Sequence, residues 1–279
     1  MTKTSKQWID LHIHTTASDS LFTPNEVVET ARKKGLSAIA ITDHDTIDGY
    51  EAAKEIAEDL EIELIPAVEL SVAYKGEDIH LLGYLIDCEN PEFLKKINSF
   101  QKERRIRGEK MVEKLNELGI DLNIETVKNI AGKGSVGRPH LADALLKEEF
   151  VNTYEEAFAR YIGYHAPAYV SKMFLTPKEG IDLVHLVRGV AVLAHPGTVR
   201  IQQAIYDFVD LGLDGIEAYH SKHDRETTKN YINLAQKLGL IYTGGSDCHG
   251  RRGEKVLIGT VKVPYQCLEM LRKVKEENY

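Results

Sequence analysis

The sequence predicts an α/β fold, a barrel of about seven or eight strands carrying a helical insertion. Three observations predict it. Strand-like and helix-like segments alternate from Ile9 to Glu69, apolar strand candidates repeatedly end on a histidine or a carboxylate, and a charge-rich stretch near the middle holds helices without a convincing strand. A length of 279 residues with 43% hydrophobic content suffices for one large α/β domain or a domain with an insertion.

Taken in order, the elements begin with a strand over Ile9 to His14, a helix from about Pro24 to Lys34 and a strand over Ala38 to Thr42. A helix from about Ile47 to Asp59 and a strand over Ile62 to Glu69 complete a βαβαβ order, which implies parallel strands. Ile79 to Ile86, Val190 to His195, Gly215 to Tyr219 and Ile241 to Ser246 are further strand candidates, with helical segments between most of them. From Ser99 to Val170 the pattern changes to charge-rich helices joined by the Gly-rich stretch Ala131 to Gly137. Residues 99–170 therefore read as a helical insertion, and residues 1–98 and 171–279 as the barrel. No repeat of fixed period and no low-complexity tract interrupts this order.

Composition narrows the function classes. No apolar run reaches the roughly 20 residues that span a bilayer, and the amino end MTKTSKQW lacks the apolar core of a secretory signal, so a cytoplasmic location is the expectation. Cys88, Cys248 and Cys267 are too few and too scattered for a disulfide framework or a Cys-rich zinc site. A net charge of −8 argues against nucleic-acid binding by bulk electrostatics, although a local basic surface can still grip a few phosphates.

The histidines fall in short motifs. In Asp10-Leu11-His12-Ile13-His14 the two imidazoles project from one face of a strand and can chelate one metal, although two polar residues on a solvated strand face have the same spacing. Asp43-His44-Asp45 follows the apolar run Ala38 to Thr42, and Glu69 ends Leu64 to Val68. His80 precedes Leu81 to Tyr84, His195 ends Val190 to Ala194, and Ser246-Asp247-Cys248-His249 ends the segment from Ile241. A charged residue at the end of an apolar parallel strand is costly in a core and natural at a barrel mouth.

These motifs, DLHIHT (Asp10 to Thr15), TDHD (Thr42 to Asp45), AHP (Ala194 to Pro196) and SDCH (Ser246 to His249), occur in the order of the polymerase and histidinol phosphatase (PHP) family, which the chain resembles across almost its whole length. The resemblance implies a distorted (β/α)7 barrel and a trinuclear metal site. Carried over, His12, His14, Glu69 and Asp247 would hold the first metal, Glu69, His80 and His195 the second, and Asp19, His44 and His249 the third. Many members carry His where this chain has Asp19, which implies a harder third site. Imidazole and carboxylate without thiolate suit Mn²⁺, Zn²⁺ or Fe²⁺, with Mn²⁺ expected. Clustered divalent ions activate a shared water and neutralise a phosphoryl group, so no Ser or Cys nucleophile is required; His195 and Asp247 are counted among the catalytic residues on this reading.

The insertion supplies the substrate clues. Gly137-Arg138-Pro139-His140 opens a helix after the Gly-rich loop, where backbone N–H groups and an Arg fork can hold phosphate; the alternative is that Arg138 caps the loop and His140 lies on the surface. Lys102, Arg104, Arg105, Arg107 and Lys110 form a basic helical run that reads equally as a solvated face. The GRPH element resembles the PHP subgroup that hydrolyses nucleoside 3′,5′-bisphosphates such as pAp and trims RNA or short oligonucleotides from the 5′ end. That resemblance implies a small phosphorylated nucleotide or short RNA as substrate. Alternatives are a histidinol-phosphate-type phosphatase and a non-catalytic PHP module. His223, after the strand Gly215 to Tyr219, is expected to meet substrate phosphate or act as general acid, in preference to His220. His185 is expected to be structural or exposed, and His165 has no assigned role. No stable protein partner is expected, and the chain is expected to be a monomer.

Overall fold

The computed structural model describes residues 7–132, 134, 136–171, 175–198, 203–250 and 255–279. Met1 to Lys6 of the amino end, and Lys133 and Ser135 of the Gly-rich stretch, lie outside them.

The first elements form as their sequences dictate. β1 (Trp8–Ile13) is followed by α1 (Pro24–Lys33), whose start is set by Pro24 and by a reciprocal capping box between Thr23 and Glu26. β2 (Leu36–Ile41) and α2 (Asp48–Asp59) come next. The strand expected over Ile62 to Glu69 then divides. Pro66 has no N–H to give a ladder, and it separates β3 (Glu63–Ile65) from β4 (Ala67–Tyr74), which enter different sheets. β4 returns as β5 (Glu77–Tyr84) through Lys75 and Gly76, both at positive φ, the two-residue geometry whose twist matches its strands. β5 consequently runs antiparallel to β4 and to β6 (Val190–Leu193), so the parallel order of the first units does not continue.

Between β5 and β6 lie α3 (Pro91–Glu117), α4 (Ile124–Ala131), α5 (Arg138–Lys147), α6 (Tyr154–Ala157) and α7 (Pro177–Leu186). The chain ends with α8 (Gln203–Asp210), β7 (Gly215–His220), α9 (Arg225–Leu238), β8 (Ile241–Gly245), β9 (Val263–Pro264) and α10 (Gln266–Asn278). One sheet has the order β3-β2-β1-β9 and the other β4-β5-β6-β7-β8. They meet at both margins through single bridges, Ile13 with Cys248 and His44 with Glu69. The fold is mixed α/β, and among the described residues strand pairing does not close it into a barrel.

The core has separate parts. Ile9, Leu11, Leu82 and Val192 pack between the sheets, Ile13, Ile39 and Ile41 lie under Val27, Val28 and Ala53 of α1 and α2, and Leu70 and Leu81 meet Ile181 and Phe208. A further cluster, with Met111, Leu115, Leu141 and Leu145, belongs to the middle helices. α3 contributes to two clusters: Phe93 and Ile97 pack with the sheet, Met111, Val112 and Leu115 with α5. The boundary expected at residues 98 and 99 thus falls inside one continuous helix.

Candidate metal centre

Glu69 is the hub of the site. Its Oε2 lies 3.3, 3.1 and 3.2 Å from ring nitrogens of His12, His14 and His44, and its Oε1 lies 3.0 and 3.1 Å from His80 Nδ1 and His195 Nε2. Asp247 Oδ1 approaches His12 and His14 Nε2 at 3.5 and 3.3 Å. Asp19 lies 3.9 Å from His44 and 3.3 Å from His249. All the ligand candidates named from sequence are therefore brought into one cluster. Its donor atoms group within 4.8 Å as His12, His14 and Asp247, as His44, Glu69 and His80, and as His14, Asp19, His44 and His249.

The positions along the strands differ from those read in the sequence. Glu69 and His80 lie within β4 and β5, not at their ends, and face each other across the hairpin. The loops carrying the other groups are fastened by buried acids. Asp43 accepts the Thr15 amide at 2.7 Å and holds the turn bearing Asp19, while Asp10 accepts the Ser246 and Gly259 amides at 2.8 and 2.9 Å and holds the turn bearing Asp247. Burial raises both acids, Asp10 to about 6. Asp45, His195 and Asp247 all have positive φ, an unfavourable backbone for residues with a Cβ that gathers at functional sites.

Electrostatics favour cations here. Burial alone would raise Glu69, but the charges of His44, His80 and His12 hold it well below the usual carboxylate range. Asp19 and Asp247 are likewise held low against burial, by His249 and His44 and by His12 and His14 respectively. Burial opposes protonation of His14, yet the neighbouring carboxylates of Asp247 and Glu69 outweigh it and push the ring up to about 10. Ionised carboxylates beside His12, His14 and His195, all raised against burial, describe a centre that demands positive charge, while burial holds His44 low. His44 Nδ1 and Glu69 Oε2 are buried without a hydrogen bond, although they are 3.2 Å apart. The oxygen and imidazole donors and these unsatisfied atoms fit divalent metal ions.

Other candidates find different surroundings. His140 is buried, and its Nδ1 accepts the Gly137 amide at 3.0 Å, so it caps α5 and is not the surface residue that the alternative reading allowed. Arg138, in the first turn of α5, reaches Asp78 Oδ2 at 3.4 Å and lies 5.0 Å over the Tyr164 ring. Asp78 shares a face of β5 with His80, which places Arg138 beside the centre. The His223 ring is engaged on both sides by backbone: Nδ1 lies 2.9 Å from Ala218 O, and Nε2 accepts the Gly197 amide at 3.2 Å. That ring has no proton on Nε2 to donate as a general acid. The neighbouring His220, passed over in the sequence, is the one whose Nε2 faces Asp247, at 3.3 Å. His185 pairs with Asp214 at 2.8 Å, away from the cluster.

Sequence reasoning also missed Glu217 and the division of the basic run. Glu217 is fully buried on β7 and held low, as the charge of His12 outweighs its burial. Its signal was an acid inside the apolar strand Gly215 to Tyr219, costly unless partnered. In α3, Lys102, Arg105 and Lys110 point to solvent, whereas Arg104 and Arg107 are buried at 7% exposure each. Arg104 binds Asp45 at 2.7 Å. Arg107 donates through Nε to Val170 O at 2.7 Å, but its Nη2 is buried without a partner. Burial and the charges of Arg138 and Arg104 lower Arg107 to about 10.

Comparison with known proteins gives a consistent picture. The model of the PHP domain matches residues 10–170. A 5′-3′ exoribonuclease of Haemophilus influenzae is 32% identical over 86% of this chain and 89% of its own. A phosphoribosyl 1,2-cyclic phosphate 1,2-diphosphodiesterase of Eggerthella lenta is 30% identical over 90% and 97%, and a 3′,5′-nucleoside bisphosphate phosphatase of Chromobacterium violaceum is 28% identical over 96% of both. A crystal structure from Bifidobacterium adolescentis, described as a metal-dependent phosphoesterase, superposes with a TM-score of 0.86 at 29% identity, covering 95% of each chain.

Proposed function

Because the chain belongs to the PHP family and is a metal-dependent hydrolase of phosphoesters, we propose that it removes a phosphate from nucleoside 3′,5′-bisphosphates such as pAp, with 5′-3′ trimming of short RNA as a related activity. The observation that carries the substrate is the arginine cluster beside the centre. Arg104, Arg107 and Arg138 meet where α3 and α5 face β4 and β5; Asp45 pairs with Arg104 and Asp78 with Arg138, while Arg107 keeps one buried N–H group, at Nη2, without a hydrogen bond. A buried guanidinium with an unused N–H is suited to a phosphate oxygen. A substrate with two phosphates can place one at the histidine cluster and the other at Arg138 and Arg107.

Three divalent ions, Mn²⁺ foremost, are assigned to His12, His14, Glu69 and Asp247, to Glu69, His80 and His195, and to Asp19, His44 and His249. Bound there, such ions polarise phosphoryl oxygens and make water a competent nucleophile near neutral pH. The chain's own groups set the geometry. Glu69 holds its histidines around one carboxylate, and Asp43 and Asp10 fix the loops that present Asp19 and Asp247. The helices between Ser99 and Val170 act as a substrate-recognising insertion against the sheets.

The test compares substrates in one variant. Arg138→Ala should weaken kcat/KM for pAp by about 1.5 to 3 kcal/mol, the range for a charge-assisted hydrogen bond, and leave p-nitrophenyl phosphate nearly unchanged. Equal losses on both substrates would remove Arg138 from second-phosphate binding and return the histidinol-phosphate reading to contention.

A further inference from the structure

Glu217 belongs to none of the donor groups of the cluster, yet it touches His12, a member of one of them, and His195, whose ring meets Glu69. Its Oε1 lies 3.0 Å from His12 Nδ1, and its Oε2 accepts the His195 backbone N–H at 2.7 Å. It sits on β7, fully buried, and joins β1 to the turn that follows β6. We infer that Glu217 is a positioning residue of the metal centre, which fixes His12 through its ring and His195 through its backbone so that both present Nε2 to the cluster; the inference rests on the metal-centre reading above.

The chemistry of the two contacts supports this. A carboxylate only accepts, so the His12 nitrogen facing Glu217 is an N–H, and the opposite nitrogen is the one that can give up its proton and offer a lone pair to an ion. That opposite Nε2 is the atom 3.3 Å from Glu69 and 3.5 Å from Asp247. His195 has φ of 30°, a strained backbone, and its amide is anchored by the same carboxylate while its Nε2 meets Glu69 at 3.1 Å. Two donors converge on two acceptor oxygens. An amide cannot replace this arrangement: Gln offers one acceptor and one donor, so either the His195 amide or the His12 N–H would face an NH₂ group. If His12 yields, its proton moves to Nε2 and the ring turns an N–H toward the cluster. Carboxylates behind metal-bound histidines set ring orientation in this way, and their loss costs about 10- to 100-fold in metal affinity.

Zn²⁺ titration against a competing chromophoric chelator, with stoichiometry from elemental analysis, is the experiment. Glu217→Gln should lower affinity by about 10- to 100-fold for at least one ion while saturating zinc still binds in the wild-type number. In a His12→Ala background the same substitution should add a distinctly smaller loss, because one of its two routes has already been removed. No loss in the wild-type background, or an equal loss in both, would overturn the inference. A saturating stoichiometry lower by one ion would also overturn it, since Glu217 would then be a ligand itself. Wild-type protein that binds no zinc would instead defeat the metal-centre reading on which all this stands. If Glu217→Gln does not fold, Glu217→Asp, which keeps both acceptors but draws them back by one methylene, is read the same way: reduced affinity at unchanged stoichiometry supports the role, and unchanged affinity refutes it.

Discussion

A carboxylate ringed by five imidazoles, as Glu69 is, cannot be neutralised by any one of them, and the sharing has a measurable consequence. In the metal-free protein His12, His14 and His195 are raised despite burial, which opposes protonation, by the acids around them. At neutral pH His14, pushed up to about 10, holds a proton that an arriving ion must displace. Metal loading should therefore release protons, and apparent affinity should rise with pH between 7 and about 10, the value to which His14 is pushed. Calorimetry in buffers of different ionisation enthalpy measures the release, and no net release at pH 7 would contradict the electrostatic description. The same shift sets the stability of the metal-free chain. His14 contributes fully below its ordinary value of 6.5, and that contribution is lost as pH rises through about 10. On the ligand assignment proposed above, Glu69→Gln should lower bound metal at two sites and cut turnover by several orders of magnitude, read by elemental analysis and pAp hydrolysis, because an amide would not serve two ions as the carboxylate would. The histidines were legible because their motifs cluster in sequence. Glu217 was not, because its partners, His12 and His195, lie on distant segments.

At the scale of elements, the close approach of β8 to β1 matters most for the site. An added Cβ on Gly245 would lie 2.3 Å from both N and Cβ of His12, contacts that real side chains essentially never make. Gly245→Ala should push β8 away from β1, destabilise the protein by about 1 to 3 kcal/mol, and weaken metal binding through His12. Urea denaturation and zinc titration together check it, and unchanged values in both would mean that the sheet margin yields freely. Most elements were readable from local chemistry, as with Thr23, Pro24 and Glu26 at the start of α1. The antiparallel hairpin was not: Pro66 and Lys75-Gly76 are punctuation whose effect on sheet membership depends on where the next strand finds a partner. For the same reason His80 was legible as a site residue, but its place opposite Glu69 in mid-strand was not.

Across the whole molecule, the two sheets share few backbone bridges, and the residues at those bridges lie at or beside the metal cluster. Ions bound there should fasten the margins together. Chelation should lower Tm and added Mn²⁺ should restore it, with about 2.7 kcal/mol gained per site at a concentration one hundred times Kd. A Tm unchanged by chelator, with metal loss verified, would place the ions outside the load path of the fold. The helical character of the stretch between β5 and β6 was legible in the sequence, but its attachment was not, since α3 runs unbroken from the sheet core at Phe93 to the helical core at Leu115. That continuity makes α3 a drive shaft between the two ends. One extra residue advances a helix by about 100° and 1.5 Å, so inserting a single alanine between Phe100 and Arg104 would turn Arg107 and everything beyond it out of phase with β4 and β5. The shaft can change length only in steps that restore its angle, so the angular placing of Arg104 and Arg107 against β4 and β5 is inherited from the pitch of one helix.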